Sequence, residues 1–306
     1  MSIIIFGAGG MLGTAFVAKK KLFEKQFSPV FLAYRSKPKS SGGKNLFPIS
    51  FDATDLPGIK TLLMNINPEI IINCAAMTNI EDCEKNPDLA HKLNAEFPEI
   101  LARWAAKYGK KLIHYSTDSV FDGKNPPLKG YTETDEPNPL NAYAKSKLRG
   151  EKLIQLADSS ALILRINIIG VRGRKPFPLA EWILRSLASG QKISGFTNVF
   201  FAPLFTEDNV RLTLKALQNN LSGLYHLNAK DYVSKYDFAK LLAKEFCYSR
   251  SLIYPSSSTQ ELSVSRPLKT YLSSSTFAKK AKVSLPTVTQ GIARLHQRIK
   301  NDKFRL

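Results

Sequence analysis

Short continuous apolar runs alternate along the chain with longer segments whose apolar residues recur every three or four positions. The runs are "SIIIF" at 2–6, "PVFLAY" at 29–34, "LFPISF" at 46–51, "EIIINCAA" at 69–76, "KLIHYS" at 111–116 and "ALILRINII" at 161–169. Runs without polar alternation suit strands buried on both faces. Helical spacing fills 11–25, 87–108 and 140–157. Buried strands separated by helices predict an α/β protein: a doubly wound parallel sheet of Rossmann type with helices on both faces. After about residue 170 the pattern is less regular. "RGRKPFPL" at 172–179 reads as a loop, and serine clusters punctuate 256–275. We therefore expect a nucleotide-binding domain over 1–170 and a smaller lobe over 171–306. The two are interleaved around 195–229, because "GLYHLNA" at 223–229 reads as a strand that returns to the main sheet.

Composition changes this picture little. The 306 residues are 43% hydrophobic and 23% charged, the balance of a folded chain. No apolar run approaches the roughly 18 residues of a membrane span. The opening "MSIIIFGAGG" lacks a basic leader and reads as a first strand, so a cytoplasmic protein is expected. Cys74, Cys83 and Cys247 are odd in number, and they and the four histidines lack ligand spacing, so neither a disulfide framework nor a metal site is expected. The net charge of +19 comes from clusters spread along the whole chain, such as "KKK" at 19–21 and "KKAK" at 279–282. Nucleic-acid binders concentrate charge on one stripe with interleaved aromatics. No nucleic-acid partner is expected here, whereas steering of a polyanionic small molecule fits such a surface.

Candidate chemistry clusters at two places. "GAGGMLG" sets Gly7, Gly10 and Gly13 directly after the first strand and at the start of a helix. Glycines there permit a tight turn and close backbone approach to a pyrophosphate, and the helix N-terminus adds unpaired N–H groups. An NAD site usually places a carboxylate at the end of the second strand. Here Arg35, Ser36 and Lys37 stand there, with no acid between Glu24 and Asp52. A guanidinium can grip a 2′-phosphate, so NADP(H) is expected.

At the second place, "NAYAKSK" puts Tyr143 and Lys147 one helical turn apart on one face. A free phenol titrates near ~10, and a neighbouring ammonium is expected to lower that value. The preceding strand ends in "HYSTDSVFDG", with Ser116, Thr117, Asp118 and Ser119 where open α/β sheets bind ligands. Thr117 is the expected hydrogen-bond donor to a substrate carbonyl that Tyr143 protonates.

Taken together these residues resemble the extended short-chain dehydrogenase/reductases, most closely the dTDP-4-dehydrorhamnose reductase family. "GAGGMLG", "FDATD", "IINCAAMTNIEDCE", "STDSVFDG" and "YTETDEPNPLNAYAKSKLRGE" each resemble a segment of that family, and the similarity continues more weakly into "GLYHLNAKDYVSKYDFAKLLAKEF" and "SRPLKTYL". The resemblance implies a catalytic trio of Thr117, Tyr143 and Lys147. It implies a cofactor site lined by Gly7, Gly10, Met11, Leu12, Gly13, Arg35, Ser36, Asp52, Ala53, Ala75, Ala76 and Thr78 together with Tyr143 and Lys147. Thr117, Asp118, Ser119 and Asn167 would face the substrate. The implied reaction is NADPH-dependent reduction of a nucleotide-linked 4-keto-6-deoxysugar for surface polysaccharide precursors, by a protein that could form a homodimer. Two family aromatics are replaced, by Ser119 and Ile168, which changes the shape of the sugar pocket. Related 4,6-dehydratases carry a glutamate where Ser119 stands, so their proton abstraction has no base here. A sugar-nucleotide epimerase and a non-catalytic NADP-binding subunit, like the methionine adenosyltransferase β subunit, are the alternatives that the resemblance leaves open.

Overall fold

The computed structural model describes residues 1–24, 27–36, 45–257 and 263–301. Lys37 and most of the glycine–serine–lysine loop that follows it lie outside the described residues. Seven strands form the main sheet. They are β1 (Ile3–Phe6), β2 (Val30–Tyr34), β3 (Leu46–Ser50), β4 (Ile70–Asn73), β5 (Lys111–Thr117), β6 (Leu162–Ile166) and, much later, β11 (Gly223–Leu227). Their order across the sheet is β11-β6-β5-β4-β1-β2-β3. The pairs β1/β2, β1/β4, β2/β3 and β4/β5 run parallel, with Ile4 opposite both Phe31 and Ile71. Strand order reverses beside β1, the switch point where such sheets open a crevice beyond the carboxyl ends of their strands. The strand expected at 223–229 does join this sheet.

The chain forms two compact units. The first comprises Met1–Val120, Pro139–Arg165 and Asn220–Tyr225; the second comprises Phe121–Asn138, Ile166–Asn219 and His226–Leu306. The chain passes between the units at several points, 165/166 among them. In the first unit, helices α1 (Met11–Ala18), α2 (Lys20–Glu24), α3 (Leu56–Ile66), α4 (Ile80–Lys85), α5 (Pro87–His91), α6 (Phe97–Tyr108) and α7 (Ala142–Ala157) connect the strands. Its core joins Ile4, Phe6 and Ile71 of the sheet to Leu63 of α3, Leu101 and Ala105 of α6, and Ile154 of α7. The second unit holds short strands β7 (Ile168–Ile169), β8 (Ile193–Phe196), β9 (Phe200–Phe201), β10 (Leu204–Phe205), β12 (Val233–Ser234) and β13 (Ile253–Ser256). Helices α8 (Leu179–Ala188), α9 (Thr206–Gln218), α10 (Lys235–Glu245), α11 (Ser275–Ala281) and α12 (Val288–Asn301) accompany them. Its core gathers Leu184, Phe201, Phe205, Phe238, Leu242 and Leu295. Among the described residues, no helix is long and apolar enough to cross a membrane.

The continuous helix expected over 87–108 is interrupted. Lys92–Glu96 forms a π-helical turn between α5 and α6. Pro98 has no N–H to give to an upstream carbonyl, so the hydrogen-bonding pattern must change near it. Such a turn redirects side chains and carbonyls. It brings the Asn94 carbonyl against the backbone of Gly150 on α7, where any Cβ would overlap that oxygen. The Asn94 side chain turns inward: Oδ1 accepts from the Met77 N–H at 2.9 Å, and Nδ2 donates to the Met77 carbonyl and to Ser146 Oγ, each at 3.0 Å. The turn thus ties the segment after β4 to α7.

Replacing Gly150 by alanine tests this seam. Alanine is the better helix former by about 1 kcal/mol, yet overpacking costs about 1–3 kcal/mol. We expect a lower melting temperature for Gly150→Ala. A melting temperature at or above that of the wild type would show that the Asn94 carbonyl can move aside.

Candidate active site

The glycine turn is built as expected. Gly7 has φ +78°, and a Cβ on it would lie 2.7 Å from the Ala75 nitrogen. A Cβ on Gly13 would overlap the Gly7 carbonyl oxygen. Gly10 N–H donates to that same oxygen at 2.9 Å and caps α1 without any side-chain bond. Met11, Leu12 and Gly13 open the helix, which has no acid in its first turn. Bare backbone and free helix N–H groups form a cradle suited to the diphosphate of a dinucleotide.

Arg35 and Ser36 follow β2 and are exposed, while Asp52 and Ala53 follow β3. Asp52 Oδ1 accepts from the Thr54 N–H at 2.8 Å and the Thr54 hydroxyl at 2.7 Å. These bonds hold the Asp52 carboxyl below its ordinary range, and the positive charges of Lys92 and Arg35 add to the effect. The gap between Glu24 and Asp52 in sequence therefore closes in space, since Asp52 lies within electrostatic reach of Arg35. Ala75, Ala76 and Thr78 follow β4, and the Ala75 N–H donates to Asn73 Oδ1 at 3.0 Å.

Thr117 ends β5, and Asp118 and Ser119 begin a 3-10 turn. The Thr117 hydroxyl donates to Asp118 Oδ1 and accepts from the Ser119 N–H, both at 3.2 Å. The Ser119 hydroxyl lies 3.4 Å from the same Asp118 oxygen. Helix α7 starts firmly: Asn141 Oδ1 accepts from the Ala144 N–H at 2.9 Å and Glu84 Oε2 from the Ala142 N–H at 2.8 Å. At the second residue of this helix, the Tyr143 phenol hydrogen-bonds Thr117. One turn further, Lys147 is buried, and Nζ donates to the Tyr115 carbonyl at 2.6 Å. Glu151 follows another turn on and binds Arg165 of β6 at 2.7 Å.

The expected lowering of the Tyr143 pKa does not occur. Burial pushes the phenol up to about 12, partly opposed by the Thr117 hydrogen bond, while Asp118 and Cys83 raise it further. Lys147 does not offset this rise in the resting arrangement, where its nitrogen is turned to Tyr115 and to His114 Nε2, which lies 3.1 Å away. Burial brings the Lys147 ammonium down to about 8 against the opposing pull of Glu151 and Cys74. Tyr143 is therefore held as a protonated acid whose hydrogen bond already lies at the carboxyl end of β5.

The structure brings Thr117, Asp118, Ser119, Tyr143 and Lys147 together within the first unit, and it places the glycine turn and the residues after β2, β3 and β4 at the carboxyl ends of the same parallel sheet. Asn167 belongs to the second unit, where its N–H donates to Asn228 Oδ1 at 2.7 Å. Sequence reasoning passed over four polar residues of the site: Asn73, Asn94, His114 and Ser146. Each is buried and satisfied by a partner distant in the chain. His114 was visible in "HYSTDS", but nothing in the sequence names Lys147 as its neighbour.

Residues 1–301 match the family model described as the RmlD substrate binding domain. A probable low-salt glycan biosynthesis reductase of Haloferax volcanii is 30% identical over 302 residues, covering 96% of this chain and 97% of that protein. Methionine adenosyltransferase 2 subunit beta of Danio rerio is 31% identical over 263 residues, covering 83% and 76% of the two chains. The crystal structure of dTDP-4-dehydrorhamnose reductase from Bacillus anthracis in complex with NADP is similar at a TM-score of 0.83 and 25% identity, over 97% of this chain and 100% of that one. A seven-stranded Rossmann sheet, a glycine cradle at its switch point and a family match from residue 1 to residue 301 together show that this chain belongs to the RmlD substrate binding domain family.

Proposed function

We propose that the protein is an NADPH-dependent reductase of a nucleotide-linked 4-keto-6-deoxysugar, acting in the cytoplasm on precursors of surface polysaccharides. The observation that carries this reading is the hydrogen bond between Tyr143 and Thr117 at the end of β5, with Lys147 buried one turn away. The glycine cradle suits the cofactor's diphosphate, Arg35 and Ser36 its 2′-phosphate, Asp52 and Ala53 its adenosine, and Ala75, Ala76 and Thr78 its remaining ribose side. When bound, NADPH supplies the hydride. Tyr143 donates its proton to the ketone oxygen. The Thr117 hydroxyl turns its hydrogen from Asp118 toward that oxygen, where negative charge develops as the carbonyl is reduced. Lys147 holds ribose hydroxyls and stabilises the phenolate that Tyr143 becomes. Asp118 and Ser119 orient the sugar. The reductases named above support this substrate class.

A second reading is a non-catalytic NADP-binding subunit, favoured by the 31% identity to a methionine adenosyltransferase subunit. NADPH oxidation over a panel of nucleotide-linked 4-ketosugars separates the two: turnover of one member supports the reductase, and cofactor binding without turnover of any supports the subunit.

Tyr143→Phe should lower the turnover number by roughly 10²–10⁴-fold, the usual contribution of a positioned acid, and leave NADPH affinity nearly unchanged. Lys147→Ala should damage both. Wild-type rates in Tyr143→Phe would assign the proton to another group.

Thr117→Val keeps the shape and removes the donor. Losing a neutral hydrogen bond of ~1–3 kcal/mol predicts a roughly ten- to hundredfold drop in turnover. A lower melting temperature with unchanged turnover would reduce Thr117 to a turn-capping residue.

Titration of both cofactors should show tighter binding of NADPH than of NADH, and Arg35→Asp should reverse that order. Equal affinities in the wild type would remove Arg35 from the 2′-phosphate site.

A further inference from the structure

Behind the proposed catalytic residues lies a buried chain of three polar groups whose hydrogens can be counted. Asn73 ends β4, and its Oδ1 accepts from the Ala75 N–H at 3.0 Å. That bond fixes the amide orientation, so Nδ2 faces His114 Nδ1 at 3.1 Å. An amide nitrogen only donates, so Nδ1 must accept. A neutral imidazole accepting at Nδ1 carries its one hydrogen on Nε2. His114 Nε2 in turn faces Lys147 Nζ at 3.1 Å. An ammonium has three donors and no lone pair, and cannot receive that hydrogen. The ring cannot escape as an imidazolium: it is fully buried, and burial and the neighbouring Lys147 hold its pKa well below the usual range. The arrangement seen is thus that of a neutral lysine.

We propose that Asn73 and His114 act as positioning residues that set the proton count of Lys147: the amine stays neutral while His114 is hydrogen-bonded to Asn73, and it becomes an ammonium only as the His114 hydrogen moves from Nε2 to Nδ1 and that bond breaks. The balance is simple. One proton enters Lys147 from water, and the ring keeps one hydrogen throughout. After the change, Nζ donates to Nε2, and Nδ1–H opposes the Asn73 amide as donor against donor. Part of the cost of charging Lys147 is therefore the loss of the Asn73 bond.

The surroundings leave Lys147 free to titrate alone near neutrality. On its own helix it faces Tyr143, pushed up to about 12, and Glu151, which is held by Arg165 of β6. Cys74, after β4, is half-buried and desolvation holds its thiol above the ordinary range; Cys83 of α4 is buried and pushed up to about 11. Asp118, after β5, shares the hydroxyls of Thr117 and Ser119. Burial brings Lys147 itself to about 8. The consequence for the site rests on the reductase reading. An ammonium stabilises the phenolate left on Tyr143, so activity should fall as pH rises through the Lys147 transition.

The test reads the ring directly and needs neither substrate nor cofactor. Nitrogen-15 NMR of histidine-labelled protein distinguishes the two tautomers, with the His114 signals identified by their loss in His114→Gln. We expect Nε2–H to dominate at about pH 9.5 and Nδ1–H at about pH 6.5, crossing once near the Lys147 pKa. Lys147→Met should abolish the crossover and leave Nε2–H throughout. Asn73→Asp replaces the opposing donor by an acceptor and should hold Nδ1–H across the range; Asn73→Ser, which adds no charge, should raise the crossover pH and serves if the first variant does not fold. In turnover assays, Asn73→Asp should move the alkaline fall of kcat/KM upward by at least about one pH unit. A single tautomer across the whole range in the wild type, or a crossover that survives Lys147→Met, overturns the proposal. A crossover in a protein that reduces no ketosugar would retain it and remove the reductase reading instead.

Discussion

A lysine with 2% of its surface exposed must find partners for its nitrogen inside the protein, since an unpaired buried amine or ammonium loses several kcal/mol of hydration. Much of the first unit answers that demand around Lys147. The carbonyl of Tyr115 and the ring of His114 come from β5, Asn73 comes from the end of β4, and the capped start of α7 fixes the height of the lysine against them. β4 and β5 are neighbours in register, with Asn73 opposite His114. The polar chain is thus a cross-strand pair extended by one helix residue. A shift of either strand by one residue would turn its side chains to the other face and leave the amine unpaired.

The same helix is held from its other side by the π-helical turn. Asn94 bonds the segment after β4 and also Ser146, the residue before Lys147. Gly150 lets the two helices close to backbone contact. Glu151, buried and paired with Arg165 by three hydrogen bonds, anchors the next turn. Removing one member of such a buried pair is far more damaging than the pair is stabilising. Tyr143 and Lys147 thus sit on a helix fixed at its N-terminus, at the π-turn contact and at the ion pair. This rigidity is what a site needs when a hydroxyl must meet a second hydroxyl at hydrogen-bond distance.

The sheet was legible because its strands are uninterrupted apolar runs and because β11 keeps that character far from the others. The glycine turn was legible because its spacing follows a strand directly. The Tyr143–Lys147 pair was legible because helical geometry puts residues four apart on one face. What escaped was set by contacts distant in the chain. The π-helical turn depends on where α7 packs. The upward shift of Tyr143 depends on burial, whereas the sequence showed only the neighbouring charge. The proximity of Asp52 to Arg35 depends on β2 and β3 ending side by side, with Tyr34 opposite Ser50. His114 was visible but anonymous, because its partners lie 41 and 33 residues away.

The passage of the chain between its two units has a consequence for synthesis on the ribosome. Residues 1–120 carry five strands and the glycine turn, yet the proposed acid and its lysine arrive only with 139–165, and the edge strand β11 only with 223–227. Until then β6 is the outermost strand of a sheet with an open edge, the kind of edge that pairs with foreign strands. A nascent chain halted between residues 166 and 222 would expose that edge while already holding most of its core. Through this interval β6 stands at the edge that β11 later takes, so the identity of the edge strand changes during synthesis.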